Sequence, residues 1–303
     1  MGHLPVVAVV GATAAGKSDL AVELALRLGG EIVNTDSMQL YRGMDVGTAK
    51  LTIPERKGVL HHLLDIWDVT QTASVAEYQR LVRPLIDDLL GRGRVPVLTG
   101  GSGLYVRAAL DDLEFPGTDP EIRTRLEKEL ADFGPGPMHA RLATQDPVAA
   151  AAILPSNGRR IVRALEVIEM SGRPFSATMP SYDSVYPSVQ IGVEVPRPIL
   201  DERIAARVGR MWREGFVDEV RGLAARGLRE GRTASRALGY AQVLRFIDGE
   251  WTEEQAMDET IRATRRFARR QESWFRRDPR VTWLAHDAPE LLERAVTVVT
   301  CGS

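Results

Sequence analysis

The 303-residue chain is long enough to bury a full core, and its 39 Lys and Arg nearly balance 41 Asp and Glu, for a formal charge of −2. That average argues against a globally basic nucleic-acid binder, and the single cysteine, Cys301, excludes a disulfide framework or cysteine zinc site and fits a reducing cytoplasm. The apolar run Pro5 to Val10 is too short to cross a bilayer and lacks the flanks of a secretion signal, so a soluble, unexported protein is expected.

Val6 to Val10 is a continuous β-branched run, the pattern of a strand buried on both faces of a parallel sheet. A glycine loop follows, then a helix with Leu20, Ala21, Leu24 and Leu28 at helical spacing, ended by Gly29-Gly30. Glu31 to Asn34 reads as the second strand. Ser74 with Glu77 forms a capping-box pattern ahead of a helix over Val75 to Leu90, and Val95 to Thr99 reads as the next strand. Between residues 113 and 187 no strand-like run occurs. Helical stretches there are punctuated by Pro116-Gly117, Gly134 to Pro137, Pro155 to Gly158 and Gly172-Arg173-Pro174, which predicts a helical insertion within a core formed by 1–112 and 188–303. Its last helix has Arg159, Arg160 and Arg163 near one face and Ile161, Leu165 and Ile168 on another. Val189 to Val195 is a further strand. In the helix after it, Arg203, Arg207 and Arg210 share a face beside Leu200, Ile204, Val208 and Met211. Arg262 to Arg280 holds eight arginines against Glu272 and Asp278, with Phe267, Trp274 and Phe275 interleaved. This segment suits phosphate or base contact, although a solvated helix face is the commoner meaning of such a run. Val281 to Leu284 completes an α/β pattern: a doubly wound, mostly parallel sheet with helices on both faces.

Gly11-Ala12-Thr13-Ala14-Ala15-Gly16-Lys17-Ser18 satisfies the phosphate-loop pattern between a strand and a helix, as that motif requires. Its glycines let backbone N–H groups turn inward, Lys17 adds a full charge, and Ser18 can reach Mg²⁺. A di- or triphosphate is the expected ligand. Asp36, just past the second strand, should face that loop; it can take a proton, order Mg²⁺ through water, or cap the next helix. After Thr99 the chain reads Gly100-Gly101-Ser102-Gly103, without the acid that an ATP-hydrolysing machine usually carries there. These glycines fit either close approach to a substrate or a tight turn. His61 and His62 have no partners at metal spacing and are expected to be structural or substrate-facing.

Several segments together resemble one family, the tRNA dimethylallyltransferases, also called isopentenyl-tRNA transferases. They are the loop Gly11 to Ser18, the run Asp36 to Lys50, His61 to Asp65, Gly100 to Tyr105, Arg163 to Val167, Gly239-Tyr240 and Arg270 to Phe275. The resemblance implies a phosphate-loop core, a helical insertion gripping the anticodon stem-loop, and a channel entered by dimethylallyl diphosphate at one end and a flipped adenine at the other. It implies transfer of the dimethylallyl group to the exocyclic amine of the adenosine on the 3′ side of the anticodon, with Mg²⁺ as cofactor, by a cytoplasmic monomer. Asp36 would be the general base, with Ser18 and Arg207 also catalytic. Thr13, Lys17 and Ser18 would hold the diphosphate, with the rest of the loop (Gly11, Ala12, Ala14, Ala15, Gly16) as cradle. Residues matching tRNA-contacting regions are Asp36, Ser37, Met38 and Gln39; Arg159, Arg160, Ile161, Val162 and Arg163; Arg236, Gly239 and Tyr240; and Arg270, Gln271 and Trp274. Gly100, Gly101, Ser102, Gly103 and Tyr105 would line the channel. The chain departs from the family pattern at Ala12, where proline is usual, at Ala15, where serine is usual, and at Ala241, where a basic residue often stands. From the residues alone, an ATP-dependent small-molecule kinase and an RNA-binding NTPase are the rival readings. The missing strand-end acid counts against the NTPase, and the basic, aromatic-interleaved segment counts against the kinase.

Overall fold

The computed structural model describes residues 5–178 and 182–301. In chain order the first elements are β1 (Val6–Val10), α1 (Lys17–Leu28), β2 (Glu31–Asn34), β3 (His61–His62), α2 (Val75–Gly91), β4 (Pro96–Thr99) and α3 (Gly103–Leu110). The helices α4 (Pro120–Phe133), α5 (Pro135–Gln145), α6 (Pro147–Ala152) and α7 (Gly158–Ser171) follow. The remainder is β5 (Ser188–Glu194), α8 (Arg197–Arg213), α9 (Phe216–Ala224), α10 (Tyr240–Ile247), α11 (Glu253–Phe275), β6 (Val281–Ala285) and α12 (Leu291–Cys301). Two compact units result, with boundaries at Leu110/Asp111 and Asp183/Ser184.

In the first unit the strands form one six-stranded sheet in the order β3-β2-β4-β1-β5-β6, with every pairing parallel among the described residues. β1 lies inside it, flanked by β4 and β5, and all five of its residues are buried. That position explains its unbroken apolar run, since each fully buried side chain of this size contributes about 1.5–3 kcal/mol. Helix ends follow local chemistry. Gly16 and Gly29 bound α1 in left-handed conformation, Ser74 caps α2 by accepting from the Glu77 N–H, and Thr252 with Gln255 forms a reciprocal box at the start of α11. The loops that follow β1, β2 and β4 emerge at the carboxyl ends of adjacent strands, the place where parallel α/β sheets bind ligands.

The second unit is wholly helical among its described residues and packs Leu126, Leu142, Ile161 and Leu165 at its centre. Glu166 is fully buried there, between Arg123 at 2.5 Å and Arg163 at 3.0 Å. Burial pushes its pKa up, but the two guanidinium groups outweigh that and hold the carboxyl below its ordinary range.

Candidate active site

The loop after β1 folds tightly because two of its glycines take conformations that other residues rarely adopt. Gly11 has φ 136° and a Cβ there would lie 3.0 Å from the Val193 carbonyl oxygen; Gly16 has φ 93°. Lys17 is buried, and its Nζ donates to the Ala12 carbonyl at 2.6 Å across the loop. Burial, followed by the nearby Arg207 charge, pulls its pKa down to about 8 against the opposing pull of Asp36. Arg207 on α8 is likewise shifted down, by burial first, with Asp36 again opposing. One carboxylate and two cations therefore share this end of the site. Ser18, half-buried on the first turn of α1, makes no hydrogen bond through its hydroxyl among the described residues.

Asp36 leaves β2 in a turn braced by Asn34, whose amide donates to the carbonyls of Asp36 and Leu63, both at 3.0 Å. Its Oδ1 accepts from the Met38 N–H at 2.9 Å, so it does cap the following turn, while Oδ2 has no partner among the described residues. Ser37 meets Ser102 through both its N–H and its hydroxyl at 3.3 Å, which ties the ends of β2 and β4 together. The carbonyl of Thr48 accepts from both Arg207 Nη2 and Gln39 Nε2 at 3.2 Å. Residues 45–47 just before it point three successive N–H groups at one carboxylate, Glu219 on α9, at 3.0, 2.7 and 3.1 Å. Tyr240 donates its hydroxyl to that same carboxylate at 2.6 Å.

Several of these pieces border one cavity of about 720 Å³; of the glycine loop Thr13 alone lines it, with Lys17 and Ser18 outside its lining. Thr13, Asp36, Ser37, Met38, Thr48 and Ser102 line its inner end, Ile204, Val208, Met211 and Phe216 an apolar wall, and Arg207, Arg232, Arg236, Arg266 and Arg270 supply positive charge. Asp36 is the one acid among these lining residues. The arrangement can hold an anion against cations, keep an apolar group dry beside it, and offer a carboxylate oxygen to a proton.

The predicted site residues do not all converge on this cavity. Of Gly100, Gly101, Ser102, Gly103 and Tyr105, Ser102 lines it. A Cβ on Gly100 would meet Thr35, one on Gly101 would meet Gln271, and one on Gly103 would meet Trp274, so the chain's own side chains occupy the space these glycines leave. Tyr105 is buried against Tyr78, ring centroids 4.8 Å apart. Three of the expected RNA contacts need correction. Ile161 and Val162 are 0 % and 3 % exposed, because they face the core of their own unit. Gln271 is 5 % exposed and both ends of its amide are bonded internally. Tyr240 is also buried, its hydroxyl on Glu219, and Gly239 packs on Phe216, although both border the cavity. Arg163 spends its guanidinium on Glu166 and on the carbonyls of Pro116 and Gly117. Arg159, Arg160, Arg236, Arg270 and Trp274 are exposed.

Within the basic segment, Arg262 and Arg266 pair with Glu259, Arg265 with Asp201, Arg276 with Glu194 and Glu272, and Arg280 with Asp278. Arg269 and Arg270 have no carboxylate partner among the described residues; Arg270 lies over the Phe267 ring at 5.7 Å. His61 and His62 occupy the edge strand β3, where His61 Nδ1 bonds the Val59 carbonyl and His62 Nε2 bonds Glu31 at 2.6 Å, while His61 Nε2 is buried with no partner among the described residues. Burial pushes the His61 pKa down. Glu219 and the apolar wall of α8 escape a motif reading. The wall has a signal in the spacing of Ile204, Val208 and Met211, but that spacing equally describes a core stripe.

A parallel α/β core whose first loop and second-strand carboxylate feed an arginine-rimmed cavity with an apolar wall defines a class of proteins suited to phosphate esters that carry an apolar group. The IPP transferase family model matches residues 39–278, and the chain belongs to that family. It is 70 % identical over 299 residues to a tRNA dimethylallyltransferase of Thermobifida fusca, covering 97 % of this chain and 94 % of the relative. It is 72 % identical over 288 residues to a tRNA dimethylallyltransferase of Streptomyces avermitilis, covering 95 % and 92 %. Among solved structures, the full-length tRNA isopentenylpyrophosphate transferase of Bacillus halodurans superposes with a TM-score of 0.73 at 41 % identity, over 99 % of this chain and 98 % of that one.

Proposed function

We propose that the chain transfers the dimethylallyl group of dimethylallyl diphosphate to the exocyclic amine of the adenosine on the 3′ side of a tRNA anticodon, releasing diphosphate. The observation that carries this reading is the cavity itself, in which Thr13, Asp36, Arg207 and the apolar wall of α8 and α9 border one space. The five-carbon group lies against Ile204, Val208, Met211 and Phe216, with the diphosphate toward the glycine loop, Lys17 and Arg207. The adenine amine is a poor nucleophile, so Asp36 Oδ2 accepts its proton as the new carbon–nitrogen bond forms. The bond to diphosphate breaks with cationic character on the allylic carbon. Lys17, Arg207 and the inward N–H groups stabilise the charge that develops on the leaving group.

The Ser18 hydroxyl and the Asp36 Oδ2, both without a partner among the described residues, would hold a Mg²⁺ ion, Ser18 directly and Asp36 through water. When bound, such an ion would neutralise part of the diphosphate charge. The adenine enters unstacked, which costs least from a single-stranded loop. Arg236 and Arg270 at the rim, and Arg159 and Arg160 on α7, contact RNA phosphates. The family relationship and the relatives' names support this reading. Among the described residues no helix is long and apolar enough to cross a membrane; the proposed setting is the cytoplasm, with the chain acting as a monomer.

Incubation of unmodified tRNA with labelled dimethylallyl diphosphate, and separately with labelled ATP, tests the proposal. Label should enter tRNA from the first alone. Transfer from ATP, or none from either, would overturn it.

A further inference from the structure

Within the glycine loop, one short bond, from Lys17 Nζ to the Ala12 carbonyl at 2.6 Å, braces the first half. Ala12, Ala14 and Ala15 offer no side-chain hydrogen bonds, no proline stiffens the turn, and the internal Ala15 N–H to Ala12 carbonyl bond is long at 3.3 Å. A second brace comes from α11, 258 residues away. Gln271 Oε1 accepts from the Thr13 N–H at 2.9 Å, and Gln271 Nε2 donates to the Gly101 carbonyl at 2.9 Å. One buried amide thus spans from the loop after β1 to the turn after β4. The fit is close on the far side too, since a Cβ on Gly101 would lie 2.0 Å from Gln271 Nε2.

We propose that Gln271 is a positioning residue for the diphosphate, clamping Thr13 to Gly101 and so setting the loop that receives the leaving group. This rests on the prenyl-transfer reading and changes the role of one residue in it: α11 carries exposed arginines for RNA and, on its buried face, the brace for the other substrate. Both donor and acceptor of the amide are needed, because leucine in its place would leave the half-buried Thr13 N–H and the buried Gly101 carbonyl without this partner.

The test separates the substrates. In Gln271→Leu, the KM for dimethylallyl diphosphate should rise about tenfold, as expected for one or two lost hydrogen bonds, while the KM for tRNA stays within twofold. Gly101→Ala is the independent variant. Its backbone lies outside the left-handed region, so alanine fits the chain, yet its methyl displaces the amide and should produce the same split. Binding of inorganic pyrophosphate with Mg²⁺, measured by calorimetry on both folded variants and the parent, reads the clamp without prenyl transfer. It should weaken about tenfold in each variant. Folded variants with parental pyrophosphate affinity, or a raised KM for tRNA alone, would overturn the clamp. A parent protein that binds pyrophosphate tightly but transfers no prenyl group would instead overturn the functional reading and leave the clamp to be judged by pyrophosphate.

Discussion

The two ends of the cavity carry charge in different ways. At the inner end, Lys17 and half-buried Arg207 lie close to Asp36, and burial has moved the pKa of both cations downward. At the rim, Arg232, Arg236, Arg266 and Arg270 are exposed. Charges in a dry pocket interact strongly and feel little of the surrounding salt, whereas exposed charges are screened over about 10 Å at ordinary ionic strength. Substitutions at the inner end should therefore change the reaction and the prenyl donor, and those at the rim should change RNA affinity in a salt-dependent way.

The largest effect is expected at Asp36. Asp36→Asn preserves size, and its amide can either keep the Met38 cap or face the substrate, but it accepts no proton. Turnover should fall roughly 10²–10⁴-fold with dimethylallyl diphosphate still bound. Lost binding with normal turnover per bound complex would break the division of labour. Next comes Lys17. Lys17→Ala should raise the KM for the diphosphate or lower turnover by about 10–100-fold, as befits loss of a charge-assisted contact. Its titration sharpens the point. The ammonium is present below its pKa of about 8 and is lost as pH rises through it, so kcat/KM for the diphosphate should decline above that pH. Lys17→Arg should abolish the decline whatever its absolute rate, because a guanidinium does not titrate there. A decline that survives in the arginine variant would assign the titration to another group.

The smallest expected effect belongs to the rim. Arg269→Ala with Arg270→Ala should raise the KM for tRNA, and the slope of log affinity against log salt should fall by about one to two units. The KM for dimethylallyl diphosphate should hardly move. These two arginines are the informative pair because neither is engaged by a carboxylate among the described residues. Arg276 and Arg280, held by Glu194 and Asp278, should give smaller changes in slope. An unchanged slope in folded double variant would make the segment a solvated face and shift the RNA contacts to Arg159 and Arg160.

Local pattern made most of the core legible. Five strands are readable, β1 most plainly because a strand buried on both faces of a parallel sheet is an unbroken apolar run, and helix ends are readable from Gly29 or Ser74 because caps act within a turn. β3 is not. His61-His62 has no strand pattern and becomes a strand by pairing with Ile32 and Val33 on β2. The order of strands is a long-range property that no local window holds. The arginine-rich segment misleads for a similar reason: its apparent excess of charge is drawn down by Asp201 and Glu194, far away in sequence. Gln271 was recoverable. Ala268, Gln271 and Phe275 fall on one buried stripe of α11, and that spacing outweighs a motif match in deciding which way the amide points. Ile161 and Val162 teach the same lesson on α7.

Glu219 has a consequence of another kind. A concave run of three N–H groups such as residues 45–47 is a ready receptor for an anion, yet here the chain fills it with its own carboxylate, sealed by the Tyr240 hydroxyl. The segment that presents the Thr48 carbonyl to Arg207 is thus held in one shape before any substrate arrives. Its loss of conformational freedom belongs to folding and not to binding. In calorimetric terms the parent protein should bind the diphosphate with little entropic opposition from this loop, and Glu219→Ala should shift the cost of ordering it onto the binding step.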